Sequence, residues 1–533
     1  MPRGTRWRST GLVVGAVALA WILVGWRAPR ATPDDGQASI TSKDLESDLW
    51  QLAGAPLEGR DSPSSGLERA ASHIESRLKS AGFKPASGES YRRPFTRSLP
   101  QPVEEQCKLA LTSAGATQAM RFGQQFVPLT GCSGSAQGEL VFLGFGIESK
   151  SERFDEVEGD LRGKIALIVE GEPRHPKRFE GPEASPDATL WKKLESLRDN
   201  QLAGALVVRR APEEGASKKK SGPKLEPAQL RFRHTWATWV GHEMTRVPEG
   251  LPKELLPALE VSLECANELL GEDVEALAAK IDKTCQPLSR RPKGRVVELS
   301  SQTSVGNVAI ENVVAVFEGS DAKLKHEFVV IGAHYDHIGV DDRGRIGFGA
   351  DDNASGTAAM LEVAQALALT YPKRSIMACA FAAEEDGLLG SKALCSDLPV
   401  PREALVAMIN LDMVGRGEAD EVAVLGIVQN PGLEEVLERA RKLSRTGVKN
   451  IVVRQGEELF QRSDHYSFHQ LDVPVLFFFE GLPIEKNGDY HTWRDTIERL
   501  DFDKIEHTSR LVLNTAWLIA DDENRPPKPL ASR

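Results

Sequence analysis

Cysteine is scarce in this chain and never occurs as a CxxC pair. Cys107, Cys132, Cys265, Cys285, Cys379 and Cys395 stand apart, which argues against a thiolate zinc site. A basic stripe interleaved with aromatics is also missing, and the formal net charge is −11, so nucleic acid is not an expected partner. Gly144-Phe145-Gly146 lacks the third glycine and the opening helix of a dinucleotide fingerprint. Ser463-Asp464-His465 lacks a nucleophile-elbow context and reads as a pocket-lining loop. Internal repeats are absent. The one long apolar run, Gly11 to Trp26, is shorter than the roughly 20 residues of a spanning helix. Arg3, Arg6 and Arg8 precede it and Arg27 and Arg30 follow, the pattern of an export signal. Because Arg27 to Ala31 is a poor cleavage site, the segment is expected either to be cleaved or to stay as an N-terminal membrane anchor. Its place at the terminus disfavours a buried core helix. Export permits disulfides. Cys107 with Cys132 and Cys265 with Cys285 are then the expected local pairs, and Cys379 reads as a buried free thiol.

What is present is a globular composition. Of 533 residues, 27% are charged and 41% hydrophobic, enough chain for two or three domains with real cores. Residues 31 to 39 read as a polar linker with Pro33. A helix is predicted from Thr41 to Ala53 with Thr41 as its cap. Another is predicted from Gly66 to Ser80, with Leu67, Ala70, Ala71, Ile74 and Leu78 on one face. From Cys107 short strands and turns dominate, with helices predicted over 189–200 and 266–280. Residues 213–227 read as a loop whose Lys218-Lys219-Lys220 is solvated. His175, His234 and His242 are scattered and read as ordinary histidines.

Near Arg295 an α/β pattern resumes. Apolar strands at 328–331, 375–382 and 405–411 each run into polar residues: His334, Glu384-Glu385 and Asp412. If these strands are parallel, the groups converge on one sheet edge, where open α/β sheets hold ligands. So many carboxylates together would repel, and one or two divalent metals bound by mixed His and carboxylate would satisfy them. Zinc suits imidazole nitrogen with carboxylate oxygen.

The ordered motifs Gly332-Ala333-His334-Tyr335-Asp336, Gly349 to Gly356, Glu384-Glu385-x-Gly387-Leu388-Leu389-Gly390-Ser391, Asn410-Leu411-Asp412-Met413 and Tyr490-His491-Thr492 resemble the M28 family of zinc aminopeptidases. The middle region is similar to the protease-associated (PA) domain often inserted in that family, through Gly138 to Phe142, Leu161 to Leu167 and Ala203 to Ala205. The resemblance implies a mixed, mostly parallel central sheet with helices on both faces (the zinc exopeptidase fold), plus an inserted β-rich PA-like domain. The expected divisions are 1–30 for the signal or anchor, 31–106 and 295–525 for the peptidase, 107–294 for the insert, and 526–533 for a tail.

The resemblance further implies two zinc ions and a peptide substrate. Asp352 would bridge the ions, His334 and Asp412 would complete one, and Glu385 and His491 the other. Glu384 would be the general base toward a water shared by the ions. Asp336 would hold His334 in its ligating tautomer, or else cap its loop. Tyr490 would donate to the oxyanion, or else pack beside the site. Asp351 and His337 are expected as bystanders. The insert would cover part of the cleft and restrict substrate size. The implied reaction is hydrolysis of the N-terminal peptide bond. A carboxypeptidase, a cyclase acting on N-terminal glutamine and a non-catalytic receptor-like module remain as alternatives.

Overall fold

The computed structural model describes residues 32–175, 178–179, 185–209, 255–340, 345–443, 445–481 and 487–530. The run at 11–26, the loop at 213–227, His234 and His242 lie outside these. Among the described residues no helix is long and apolar enough to cross a membrane.

The apolar runs form the middle of a large mixed sheet. Ser375–Phe381, Phe328–His334, Leu405–Leu411 and Val475–Phe479 lie side by side in that order, all parallel. Antiparallel strands flank them, Thr303–Phe317 on one side and Glu421–Leu425 on the other. Their lack of polar alternation follows from burial on both faces. Val329, Ile331 and Ala333 share a core with the helices Ser42–Leu52, Ser65–Ser80, Gly356–Thr370 and Phe502–Asp521. Val330 points the other way and shares a core with Leu394 and Phe468, from the helices Leu389–Ser396 and His465–His469. The period of two along each strand makes both faces apolar. Leu67, Ala70, Ala71, Ile74 and Leu78 are all buried, as their helical spacing predicts. Each such Leu or Ile contributes about 1.5–3 kcal/mol of burial.

A second sheet of eight strands is built from residues 108–301, with its own cores on either face. Its parallel middle is Gly134–Phe142, Ile165–Val169, Gly204–Val208 and Ala258–Val261. The strand Arg295–Ser301 pairs within this sheet, past the division expected at residue 294. The glycines of Gly144-Phe145-Gly146, both at positive φ, wrap the buried Glu156, whose Oε2 accepts from the Phe145 and Ile147 N–H groups.

Several local expectations differ from the structure. Residues 33–39 are a helix and not a linker, because Thr32 and Asp35 form a reciprocal capping box and Pro33 fits the first turn. The helix expected over 266–280 is two, Leu263–Leu270 and Val274–Thr284. Gly271 ends the first in a left-handed conformation and Asp273 caps the second. All six cysteines are free, so the expected pairs are not formed. Cys107 and Cys132 pack into different cores of the second sheet, while Cys265 sits on the helix Leu263–Leu270 and Cys285 just past the end of the next.

Burial pushes the Glu156 carboxyl up to about 8, against the N–H bonds and the charge of Lys193. The folded chain therefore keeps a proton that the unfolded chain loses above about 4.5. This group makes stability fall as pH rises between those values, by up to ~1.4 kcal/mol per unit. Glu156→Gln is expected to flatten that part of the urea-denaturation profile. An unaltered slope counts against it.

Candidate metal centre

The parallel order of the central strands delivers chemistry to one edge. His334 ends its own strand, Glu384 and Glu385 follow Phe381, Asp412 follows Leu411, and Glu480 follows Phe479. Asp352 arrives from the segment that opens the helix Gly356–Thr370, and His491 from the loop before the closing helix.

Two groups of potential ligands share Asp352. In the first, His334 Nε2 lies 3.3 Å from Asp352 Oδ1 and 3.2 Å from Asp412 Oδ1. In the second, His491 Nε2 lies 3.0 Å from both Asp352 Oδ2 and Glu385 Oε2. Among the described residues, His334, Asp352 and Asp412 bring their ligand atoms close enough together for one ion, and His337, Asp352 and Glu385 do so for a second, with His491 lying against the same Asp352 and Glu385. All five expected ligands are thus brought together, with the two oxygens of Asp352 facing different groups. Glu384 Oε2 is 3.9 Å from His334 Nε2, at the side of the first group.

The electrostatics separate these acids. Burial opposes ionisation of Asp352, but bonds from His334 and His491 outweigh it and hold the carboxyl well below the usual range. Burial likewise opposes Glu385, which the charge of His491 and the bond from His337 bring down to about 2. Burial disfavours charge on His334 and His491, yet neighbouring carboxylates raise both well above the ordinary histidine range: Asp412 acts most on His334 and Glu385 on His491. Glu384 goes the other way. Burial, with Glu385 and Asp412 adding repulsion, lifts its carboxyl well above normal while His334 resists.

Asp336 is fully buried, but its Oδ1 is 3.7 Å from His334 Nδ1, longer than a hydrogen bond. Its oxygens accept instead from the backbone N–H groups of Glu384 (3.1 Å) and Glu385 (3.3 Å). Asp336 therefore braces the Glu384–Glu385 pair. The Tyr490 ring stacks on His491 with centroids 3.8 Å apart.

Four further residues have contacts at the site that the sequence reading did not assign. His337, expected as a bystander, places Nδ1 2.8 Å from Glu385 Oε1 and 3.9 Å from Asp352 Oδ2. Its spacing after His334 was the available signal. Asp495 accepts from the N–H groups of Asp351 (2.9 Å) and Asp352 (3.0 Å). Ser463 Oγ donates to Asp412 Oδ2 at 2.7 Å and accepts from Asn410 Nδ2 at 2.8 Å. Arg60, wholly buried, reaches the site loops from the opening segment. Burial draws its guanidinium down to about 10, with Asp336 and Asp495 resisting. Asp351 serves the backbone, accepting from the Gly415 N–H at 2.8 Å.

Residues 312–516 match the model described as Peptidase family M28. A probable leucine aminopeptidase of Arthroderma otae is 30% identical over 215 residues, 39% of this chain and 57% of that protein. A probable zinc metalloprotease of Pyrenophora tritici-repentis is 28% identical over 261 residues, 41% of this chain and 53% of that one. The chain thus spans about half the length of the curated relatives it matches. The solved aminopeptidase from Aneurinibacillus sp. strain AM-1 aligns with a TM-score of 0.46 and 20% identity, covering 94% of this chain and 98% of that one.

Ser463→Ala leaves one oxygen of Asp412 and the amide of Asn410 buried without their shared partner. The expected cost is about 1–3 kcal/mol of stability, read by urea denaturation in chelator. A loss below a few tenths would show that neither group depends on the hydroxyl.

Proposed function

We propose, from the match of residues 312–516 to peptidase family M28, that this chain is a dinuclear zinc exopeptidase that removes N-terminal residues from peptides. The observation that carries the reading is the single carboxylate of Asp352 shared between two ligand groups. His334, Asp352 and Asp412 would hold one zinc, and Asp352, Glu385 and His491 the other. The donor chemistry fits, since neutral imidazole and carboxylate oxygen are both zinc ligands. When bound, the ions would supply Lewis acidity toward the scissile carbonyl and lower the pKa of water.

The chain's own groups then move the proton. Glu384 takes a proton from the water as its oxygen bonds to the carbonyl carbon. It returns that proton to the amine nitrogen as the C–N bond breaks. Asp336 fixes the backbone of this glutamate through the N–H bonds already described. Tyr490 would donate its O–H to the oxygen that gains charge, a role that the stacking of its ring on His491 supports. Burial and the neighbouring carboxylates lift the Glu384 carboxyl well above its normal range and His334 alone opposes them, so its role as a base would rely on the positive charge that bound ions bring to the site.

The second sheet supports reading 107–294 as a β-rich insert into the peptidase. The arginine-flanked run at 11–26 supports export, with peptides outside the cytoplasm as substrates. Fractionation of producing cells checks export, and a wholly cytoplasmic product contradicts it.

Purified protein is expected to release N-terminal residues from a peptide panel, with chelator abolishing release and zinc restoring it. Mass spectrometry of the products is decisive: shortening from the C-terminus, or cyclisation of an N-terminal glutamine, overturns the reading. Glu384→Gln is expected to keep its zinc by elemental analysis while turnover drops by about 10²–10⁴. Undiminished turnover removes Glu384 from the mechanism.

A further inference from the structure

Residues Gly59 to Ser62 lie far from the matched family segment in sequence, yet they touch three of the loops that carry the site. Arg60 has no exposed surface. Its Nε donates to the Tyr335 carbonyl at 2.8 Å, between His334 and Asp336. Nη1 donates to the Phe348 carbonyl at 2.7 Å and to that of Leu52, and Nη2 to the Gly349 carbonyl at 3.0 Å. Phe348 and Gly349 lead directly into Asp352. The backbone repeats the contact: the Arg60 carbonyl accepts from His337 N–H at 3.2 Å, and the Gly59 carbonyl from Gly339 N–H at 3.1 Å. Two residues on, Ser62 Oγ accepts at 3.2 Å from the N–H of Ala383, immediately before Glu384. Leu52 apart, these partners are 275 to 321 residues away along the chain.

The segment adopts a conformation that ordinary residues avoid. Glu58 and Arg60 have φ of 49° and 53°, and Gly59 between them has 74°. A Cβ on Gly59 would sit 2.4 Å from the Gly339 carbonyl oxygen and 2.5 Å from that of Gly347. Strain of this kind persists only where surrounding contacts enforce it, and it collects at functional sites. Arg60 satisfies carbonyls and directly pairs with no carboxylate in the bonds described, so ion pairing does not explain its burial.

We propose that Arg60, with Ser62, is a positioning residue of the metal centre: the buried guanidinium locks the His334–His337 and Gly349–Asp352 loops into the spacing that two metal ions require. The inference rests on the metal-binding reading given above. Position and charge predict opposite signs. A cation beside a metal site weakens metal binding by repulsion, so losing its charge alone would tighten zinc. Losing the lock misplaces the ligands and weakens it.

The test uses the full chain and reads zinc content by elemental analysis, zinc affinity by competition with a chromophoric chelator, and the heat-denaturation midpoint in chelator. Arg60→Lys and Arg60→Met are both expected to weaken zinc binding by about 10- to 100-fold, the usual effect of residues that orient ligands. Arg374→Lys is the control. Arg374 is equally buried and also holds backbone carbonyls, those of Ile519, Asp522 and Glu523, but beside the opposite end of the strand Ser375–Phe381. It should lower the denaturation midpoint while leaving zinc affinity within about twofold, well short of the loss expected for an orienting residue. Tighter or unchanged zinc binding in Arg60→Met overturns the proposal, as does a loss no larger than that of Arg374→Lys. Should both Arg60 variants fail to fold, Ser62→Ala decides. About tenfold weaker zinc supports the lock, and wild-type affinity overturns it. If the unaltered chain binds no zinc, the metal reading itself falls.

Discussion

The burial of like charge at one sheet edge is the constraint around which this structure is arranged. Parallel strands end in the same direction, so the acids that follow them cannot avoid one another. Two unit charges 4 Å apart interact by about 4 kcal/mol at an effective dielectric near 20. A handful of unbalanced pairs would therefore exceed the whole stability of a domain. The structure meets this with imidazoles against Asp352, Glu385 and Asp412, and with backbone N–H groups against Asp336, Asp351 and Asp495. The second device is economical, because the same bonds that stabilise a carboxylate also fix the loop that donates them.

Environment then divides the acids into two kinds. Asp352 and Glu385 face imidazoles and stay ionised despite their burial. Burial pushes Asp464 and Asp495 each up to about 7, with neighbouring acids adding to the rise, and it lifts Asp351 further with Glu480 beside it. Asp351 and Asp495 are thus shifted toward the protonated form, and Asp352 and Glu385 toward the ionised one. Identical side chains a few ångströms apart come to differ in charge, which allows one group to bind a cation and another to shape the wall behind it.

The strand ends and the helical faces were legible in the sequence because both are periodic and apolar. The five candidate ligands could be read because each follows such a strand or sits in an ordered motif. Other features were invisible for stated reasons. Arg92–Pro102, which pairs along Thr303–Val313, contains three prolines and only one fully buried residue, so it has no strand signature. Ser463 and Asp495 act through hydrogen bonds to residues remote in sequence, and no local pattern marks a serine or aspartate for that task. His337 is expected from the sequence only as a bystander, yet it joins Asp352 and Glu385 in one of the two candidate metal groups. Only the fold reveals that its ring leans on Glu385.

Arg60 shows most clearly why the matched segment is not the whole site. The opening helices pack against Gly356–Thr370 and Phe502–Asp521, and Arg77 joins Asp48 to Glu362 across that interface. Burial lifts Glu362 to about 7, so even this bridge is held in place by packing more than by charge. The second sheet intervenes in sequence between these opening helices and the strands they cover. Closing so long a loop is costly in entropy only logarithmically, whereas the contacts regained are numerous and buried. A long insertion is therefore tolerated between the two parts, provided the opening segment still docks. The geometry of the candidate ligands depends on that docking, because the carbonyl just after His334 and one just before Asp352 have Arg60 as their common donor.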